Sequence, residues 1–259
     1  MSNQSTVKYD YPTEKIYLPS KGHFYPKDSK LAQGYIDLKY PTAREEDILT
    51  SKKLIQNGTV IYEFIRSLIA TVGIKLNDIL ECDFNALLIA GRIMAYGSDY
   101  KVKYSCPNCD TKSKLSIDLN NFDNEEFDFD KFTKNKNEFE FILPRSKSNV
   151  KFKLMTIGDM LSIENSIKHK SKMYKESGVD PSITTRLKQQ VISINDLIGN
   201  DKDLFIEGQL PSIDSLKLRG YMVDVAPKLI TDINFMCNSC ENEEEIPLPM
   251  GKDFLWPSK

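Results

Sequence analysis

Four of the chain's five cysteines fall in two C-x-x-C pairs, Cys106-Pro107-Asn108-Cys109 and Cys237-Asn238-Ser239-Cys240. The pairs lie half a chain length apart in a sequence of 259 residues. Strand-like runs flank each pair, residues 100–104 and 115–119 around the first, 233–235 and 245–248 around the second. Each unit reads as a β-hairpin carrying two thiols at its turn. Two such turns supply the four soft ligands that a tetrahedral zinc ion takes. The spacing predicts one shared site made by Cys106, Cys109, Cys237 and Cys240, with the long insert looped out between the two knuckles. The alternatives are two independent redox pairs or four buried thiols. A redox pair belongs at a helix N-terminus after a strand, and no helical pattern follows either pair. Cys82 has no partner in sequence and reads as a small core residue. Four thiolates close a zinc shell and leave no position for water. The expected zinc is therefore structural, pinning two distant segments together.

Composition narrows the setting. A chain that is 40% hydrophobic and 28% charged has the means to build a packed core. A formal net charge of -2 gives no overall basic field to steer it toward nucleic acid or anionic lipid. The first residues lack the apolar run and small-residue cleavage site of a secretory signal, and charges interrupt every apolar stretch. Synthesis in a reducing cytoplasm is expected, where paired cysteines serve as metal ligands more often than as disulfides.

The fold class expected is α+β: a helical body with short β-hairpins, two of them zinc-ribbon-like knuckles sharing one metal, and an extended N-terminal arm. Residues 1–34 read as that arm, because Tyr9, Tyr11, Tyr17, Phe24 and Tyr25 alternate with Pro12, Pro19 and Pro26 and show no helical period. The arm either packs on its own domain or docks on a neighbouring subunit. Residues 35–120 form a strand-and-helix subdomain ending in the first knuckle. Its helices start at a capping box, Thr42 with Glu45, and stop at Asn57-Gly58 and Tyr96-Gly97. Residues 121–138 read as an acidic surface loop. Residues 139–250 form a second strand-and-helix subdomain ending in the second knuckle, with a hairpin near 139–154 and an amphipathic segment over 184–198. Residues 251–259 are a tail. The order of strand, capped helix, further helices and knuckle occurs twice, over 35–119 and 150–248. It is read either as a divergent repeat or as two unrelated halves sharing a metal.

Chemistry is sparse. His23 and His169 stand apart from any nucleophile or carboxylate pattern, and no phosphate-binding glycine motif is present. The expectation is no catalytic residue, no enzyme activity and no small-molecule substrate. Lys112 and Lys114 follow the first knuckle, but Glu241, Glu243, Glu244 and Glu245 follow the second and repel phosphates, so nucleic acid is not the partner expected.

Several stretches together resemble the baseplate hub proteins of contractile-tailed phages of the T-even type. They are Leu18-Pro19-Ser20-Lys21-Gly22-His23-Phe24-Tyr25; Arg44-Glu45-Glu46-Asp47-Ile48-Leu49; Lys53-Leu54-Ile55-Gln56-Asn57-Gly58; Asp83 through Arg92; and Tyr96-Gly97. The likeness runs over about residues 16 to 120 and is diffuse beyond. It implies a structural subunit of the hub or wedge-hub region that binds other tail proteins. It equally fits a hub assembly chaperone that leaves before the virion matures. Outside the family, a nucleic-acid-binding zinc protein is the remaining reading. The resemblance implies residence in the host cytoplasm during assembly and in the tail baseplate of the virion. Partner contacts are expected from Tyr17, Leu18, Pro19, Phe24 and Tyr25 in the arm, and from Trp256 in the tail.

Overall fold

The computed structural model describes residues 12–173, 180–250 and 252–255. Strand β1 (Thr13–Tyr17) pairs antiparallel with β2 (Tyr35–Lys39), Ile16 facing Ile36 and Tyr17 facing Tyr35. Helices α1 (Ala43–Leu49), α2 (Lys52–Asn57) and α3 (Val60–Leu68) follow. The long α4 (Glu81–Tyr96) leads into the hairpin β3 (Asp99–Ser105) and β4 (Lys112–Asp118). The second half opens on β5 (Phe139–Ile142) and β6 (Asn149–Phe152), then α5 (Ile157–Met173) and α6 (Ser182–Gln190). Strand β7 (Val191–Ile194) joins β5 and β6 in a three-stranded sheet. Helices α7 (Gly199–Gly208) and α8 (Ser212–Asp224), the hairpin β8 (Asp232–Met236) and β9 (Glu243–Pro247), and the short α9 (Lys252–Leu255) complete the order. The α+β class is as expected.

The two halves share several devices at matching positions. Leu18-Pro19 leaves β1 as Leu143-Pro144 leaves β5, and both leucines are fully buried. The backbone just beyond each proline is held by a buried aspartate near the start of a long helix. Asp83 on α4 accepts from Ser20 N at 2.8 Å; Asp214 on α8 accepts from Arg145 N at 2.8 Å and Ser146 N at 2.9 Å. After the second strand of each half, a lysine, a threonine and an acid recur at one spacing. Lys39 and the Thr42 amide bind Glu45, and Lys153 and the Thr156 amide bind Asp159. Ile69, directly after α3, bridges to Leu38, as Val191, directly after α6, pairs with Phe152. Asp83 precedes Cys106 by the same number of residues as Asp214 precedes Cys237. These shared devices favour the repeat over two unrelated halves.

The halves also exchange ends. Beyond the first knuckle, Glu125 N donates to Lys228 O and Ile230 N donates to Asp123 O, both at 2.9 Å, so the chain leaving one hairpin lies along the chain entering the other. Beyond the second, Phe254 packs edge-on to Tyr100, whose hydroxyl donates to Pro249 O at 2.7 Å. One buried apolar core runs through both halves.

Four expectations are corrected. From residue 12 on, the segment read as an extended arm, packing on its own domain or docking on a neighbour, belongs to the body. Leu18, Pro19, Phe24 and Tyr25 are buried, and Phe24 packs against Phe127, Phe129, Phe132 and Phe139. Gly22 and Gly34, both at positive φ, let the loop fold back on itself; a Cβ on Gly22 would sit 2.6 Å from Ala32 O. The acidic segment 121–138 likewise turns its phenylalanines inward while its acids face solvent. The amphipathic run over 184–198 is helix only to Gln190; Val191 and Ile194 lie on a strand, because β6 offers them a ladder. The single helix expected between Thr42 and Gly58 is broken in two at Thr50-Ser51. Trp256 lies outside the described residues.

Candidate metal centre

Each knuckle is a hairpin turn drawn tight by two backbone bonds. Asp110 N donates to Cys106 O at 2.8 Å, and Cys106 N donates to Thr111 O at 3.0 Å. The second knuckle repeats both, Glu241 N to Cys237 O at 3.0 Å and Cys237 N to Asn242 O at 2.9 Å. The residue after the second cysteine takes positive φ in both, 57° at Asp110 and 56° at Glu241. That left-handed step turns the chain back into its partner strand.

The two turns meet tip to tip. Sγ of Cys106 lies 3.7 Å from Sγ of Cys240, and Sγ of Cys109 lies 3.6 Å from Sγ of Cys237. All four sulfurs lie within 4.8 Å of one another. A tetrahedron of thiolates around an ion with bonds of about 2.3 Å has an edge of about 3.8 Å. The four sulfurs therefore match in number, element and separation, and can hold a metal ion. All are free thiols, with no disulfide among them.

The surroundings divide the cluster into a dry and a wet side. Cys106 and Cys237 are buried against Phe235, Ile246 and the ring of Tyr104, while Cys109 is exposed. Tyr104 and Phe235 occupy equivalent places in the two hairpins, and their rings meet edge-on at 4.7 Å. Burial pushes the Cys106 thiol up to about 11, whereas Thr111, through its hydroxyl and its backbone, draws Cys109 down to about 6. Ser239 N donates to Cys237 Sγ and Asn108 Nδ2 to Cys240 Sγ, both at 3.5 Å. The hairpins differ in charge, with lysines at 101, 103, 112 and 114 on the first and glutamates at 243, 244 and 245 on the second, and Tyr104 OH donates to Glu244 at 3.0 Å.

A model of the T4 bacteriophage base plate protein family matches residues 11–256, nearly the whole chain. The chain belongs to that family. No curated protein and no solved structure gives a significant match. Base plate membership agrees with a structural role in the virion tail, in association with other tail proteins. No described helix is long and apolar enough to cross a membrane.

The remaining predicted residues separate. Tyr17 is 70% exposed, on the outer face of β1. Leu18, Pro19, Phe24 and Tyr25 lie inside the molecule and offer a base plate partner no surface. Cys82 is half-buried at the start of α4, away from the cluster. His23 is a packing residue, its ring against Phe24 and Phe129 and Nε2 3.1 Å from Phe132 O. Sequence reasoning missed Asp83 and Asp214. Asp83 accepts from Ser20 Oγ and from Tyr25 OH, each at 2.7 Å, besides the Ser20 amide. Their one sequence signal is the shared offset from the cysteines.

Proposed function

We propose that the chain is a non-enzymatic structural subunit of a contractile-tail baseplate, in the hub or wedge-hub region. In this reading the thiol cluster holds one structural zinc through Cys106, Cys109, Cys237 and Cys240. The observation that carries it is the family match across both halves and both knuckles. A closed four-sulfur shell supports structural rather than catalytic metal chemistry. The body so clamped presents surfaces to other tail proteins, Tyr17 among them. Assembly in the host cytoplasm and residence in the virion baseplate follow. Two measurements test this. Purified particles should contain the protein; its absence would make it an assembly chaperone instead. Depleting it in the parent phage should give filled heads with defective or missing baseplates; normal tails would overturn the reading.

A further inference from the structure

The two halves share a plan but differ sharply at one equivalent place. In the first half α3 lies against α4, with Phe64, Ile65 and Leu68 so close to Gly91 that a Cβ there would sit 3.2 Å from each. Aligned on the shared Ile69 and Val191, the second half places Arg186 where Phe64 stands and Gln190 where Leu68 stands. Aligned on Asp83 and Asp214, it places Arg219 where Leu88 stands and Met222 where Gly91 stands. A packed apolar helix pair has become an open one. Between α6 and α8 lies a cleft of about 470 Å³ with Arg186, Gln190, Arg219 and Met222 in its lining.

Its chemistry is lopsided. The cations Arg186, Arg219 and Lys228 face a single acid, Glu81. Lys228 also pairs with Glu125 at 3.4 Å. Burial holds the Glu81 carboxyl above its usual range, with Arg186 pulling the other way. Arg219 Nε is buried and has no hydrogen-bond partner among the described residues. An orphaned buried donor costs free energy unless a partner supplies the acceptor. Leu154, Met155, Leu187 and Val223 complete apolar walls around these charges. Apolar walls with guanidinium groups among them suit an amino-acid carboxylate flanked by apolar side chains better than a hydrated polyphosphate.

We propose that this cleft docks a short acidic segment of another tail protein, with an Asp or Glu side chain received by Arg219 and Arg186. The proposal rests on the tail-subunit reading above and gives it a contact site.

The test uses the full-length protein and 15-residue synthetic peptides tiled from the other tail proteins of the parent phage. Binding is read by fluorescence anisotropy at low and high salt. At least one peptide with an acid beside an aromatic or aliphatic residue should bind, more weakly at high salt. Arg219→Met and Arg186→Met should each weaken it about tenfold or more, a loss typical of a charge-assisted hydrogen bond. Changing the peptide acid to its amide should do the same, and Lys53→Met on exposed α2 should leave binding unchanged. Arg219→Met should keep or raise the melting temperature, since it removes an unpaired buried donor. The idea falls if no acidic peptide binds, if both arginine variants bind normally, or if a single-stranded oligonucleotide displaces the peptide. A fall of about 10 °C in Arg219→Met would make the arginine a structural prop and overturn the proposal too. Phage carrying Arg219→Met that assembles normally defeats the cleft and leaves the baseplate reading intact; absence of the wild-type protein from particles defeats that reading instead.

Discussion

Asp83 and Asp214 do one job in two electrostatic settings. Each holds the turn after a Leu-Pro, but Asp83 is enclosed and receives Tyr25 OH and both Ser20 donors, while Asp214 receives backbone amides. For Asp83 burial prevails and raises its pKa despite those bonds. For Asp214 burial pushes the same way, but the amides of Arg145 and Ser146 outweigh it and the pKa falls. The pH signatures should therefore oppose. A raised folded-state pKa means that Asp83's contribution is largest in acid and shrinks as pH rises from its ordinary value, 3.8, to its folded value. A lowered one means that Asp214's contribution is present above 3.8 and is lost as pH falls through its folded value. Urea denaturation from pH 3 to 6 should show the deficit of Asp214→Asn growing with pH and that of Asp83→Asn narrowing. Parallel curves would contradict the assignment. Glu45 follows the Asp214 pattern. Burial opposes its ionisation, yet Lys39 and Thr42 bring it down to about 2. Glu45→Gln should cost about 2 kcal/mol at pH 7 and progressively less as pH falls through about 2.

Among elements, the loop joining β1 to β2 separates what was legible from what was not. The knuckles, the capping box and α4 could be read because local chemistry dictates them: cysteine spacing, a threonine with its glutamate, an apolar face ending at glycine. The loop could not. Its prolines and aromatics look extended, and the phenylalanines that bury Phe24 lie more than a hundred residues on. Phe127 and Phe129 are interleaved with acids, so the acids dominated the reading of 121–138 although its phenylalanines pack on the core. Over 187–198 the apolar spacing satisfied a helix, and only the long-range partner β6 decides for strand after Gln190. The cleft was illegible for a different reason: its arginines acquire meaning only beside the positions they replace in the other half. Two substitutions test the loop's placement. Phe24→Ala should destabilise by about 4 kcal/mol. Tyr17→Ala, on the exposed face beside it, should stay within about 0.5 kcal/mol. Chemical denaturation of both variants checks this, and similar losses would put the loop back outside the body.

At the scale of the molecule, the cysteine cluster joins the halves at the same place in each. Each half also lays its outgoing chain on the other, so neither should unfold alone. In the zinc-bound form proposed above, Cys237→Ser should release the ion and lower the stability of both halves together, by about 3 kcal/mol or more. Calorimetry should keep one transition, and hydrogen exchange should rise in β3 and β4 as much as in β8 and β9. Protection lost only around the second knuckle would mean that the halves are independent. The order of synthesis adds a consequence. At about 5–20 residues per second, the ribosome makes Cys237 roughly ten seconds after Cys109. For that interval the nascent chain carries the first pair of thiols without the second. Oxidation during those seconds would seal the first pair and block the cluster until it is reduced again, so the yield of folded protein should depend on how reducing the cell is while the chain is still being made.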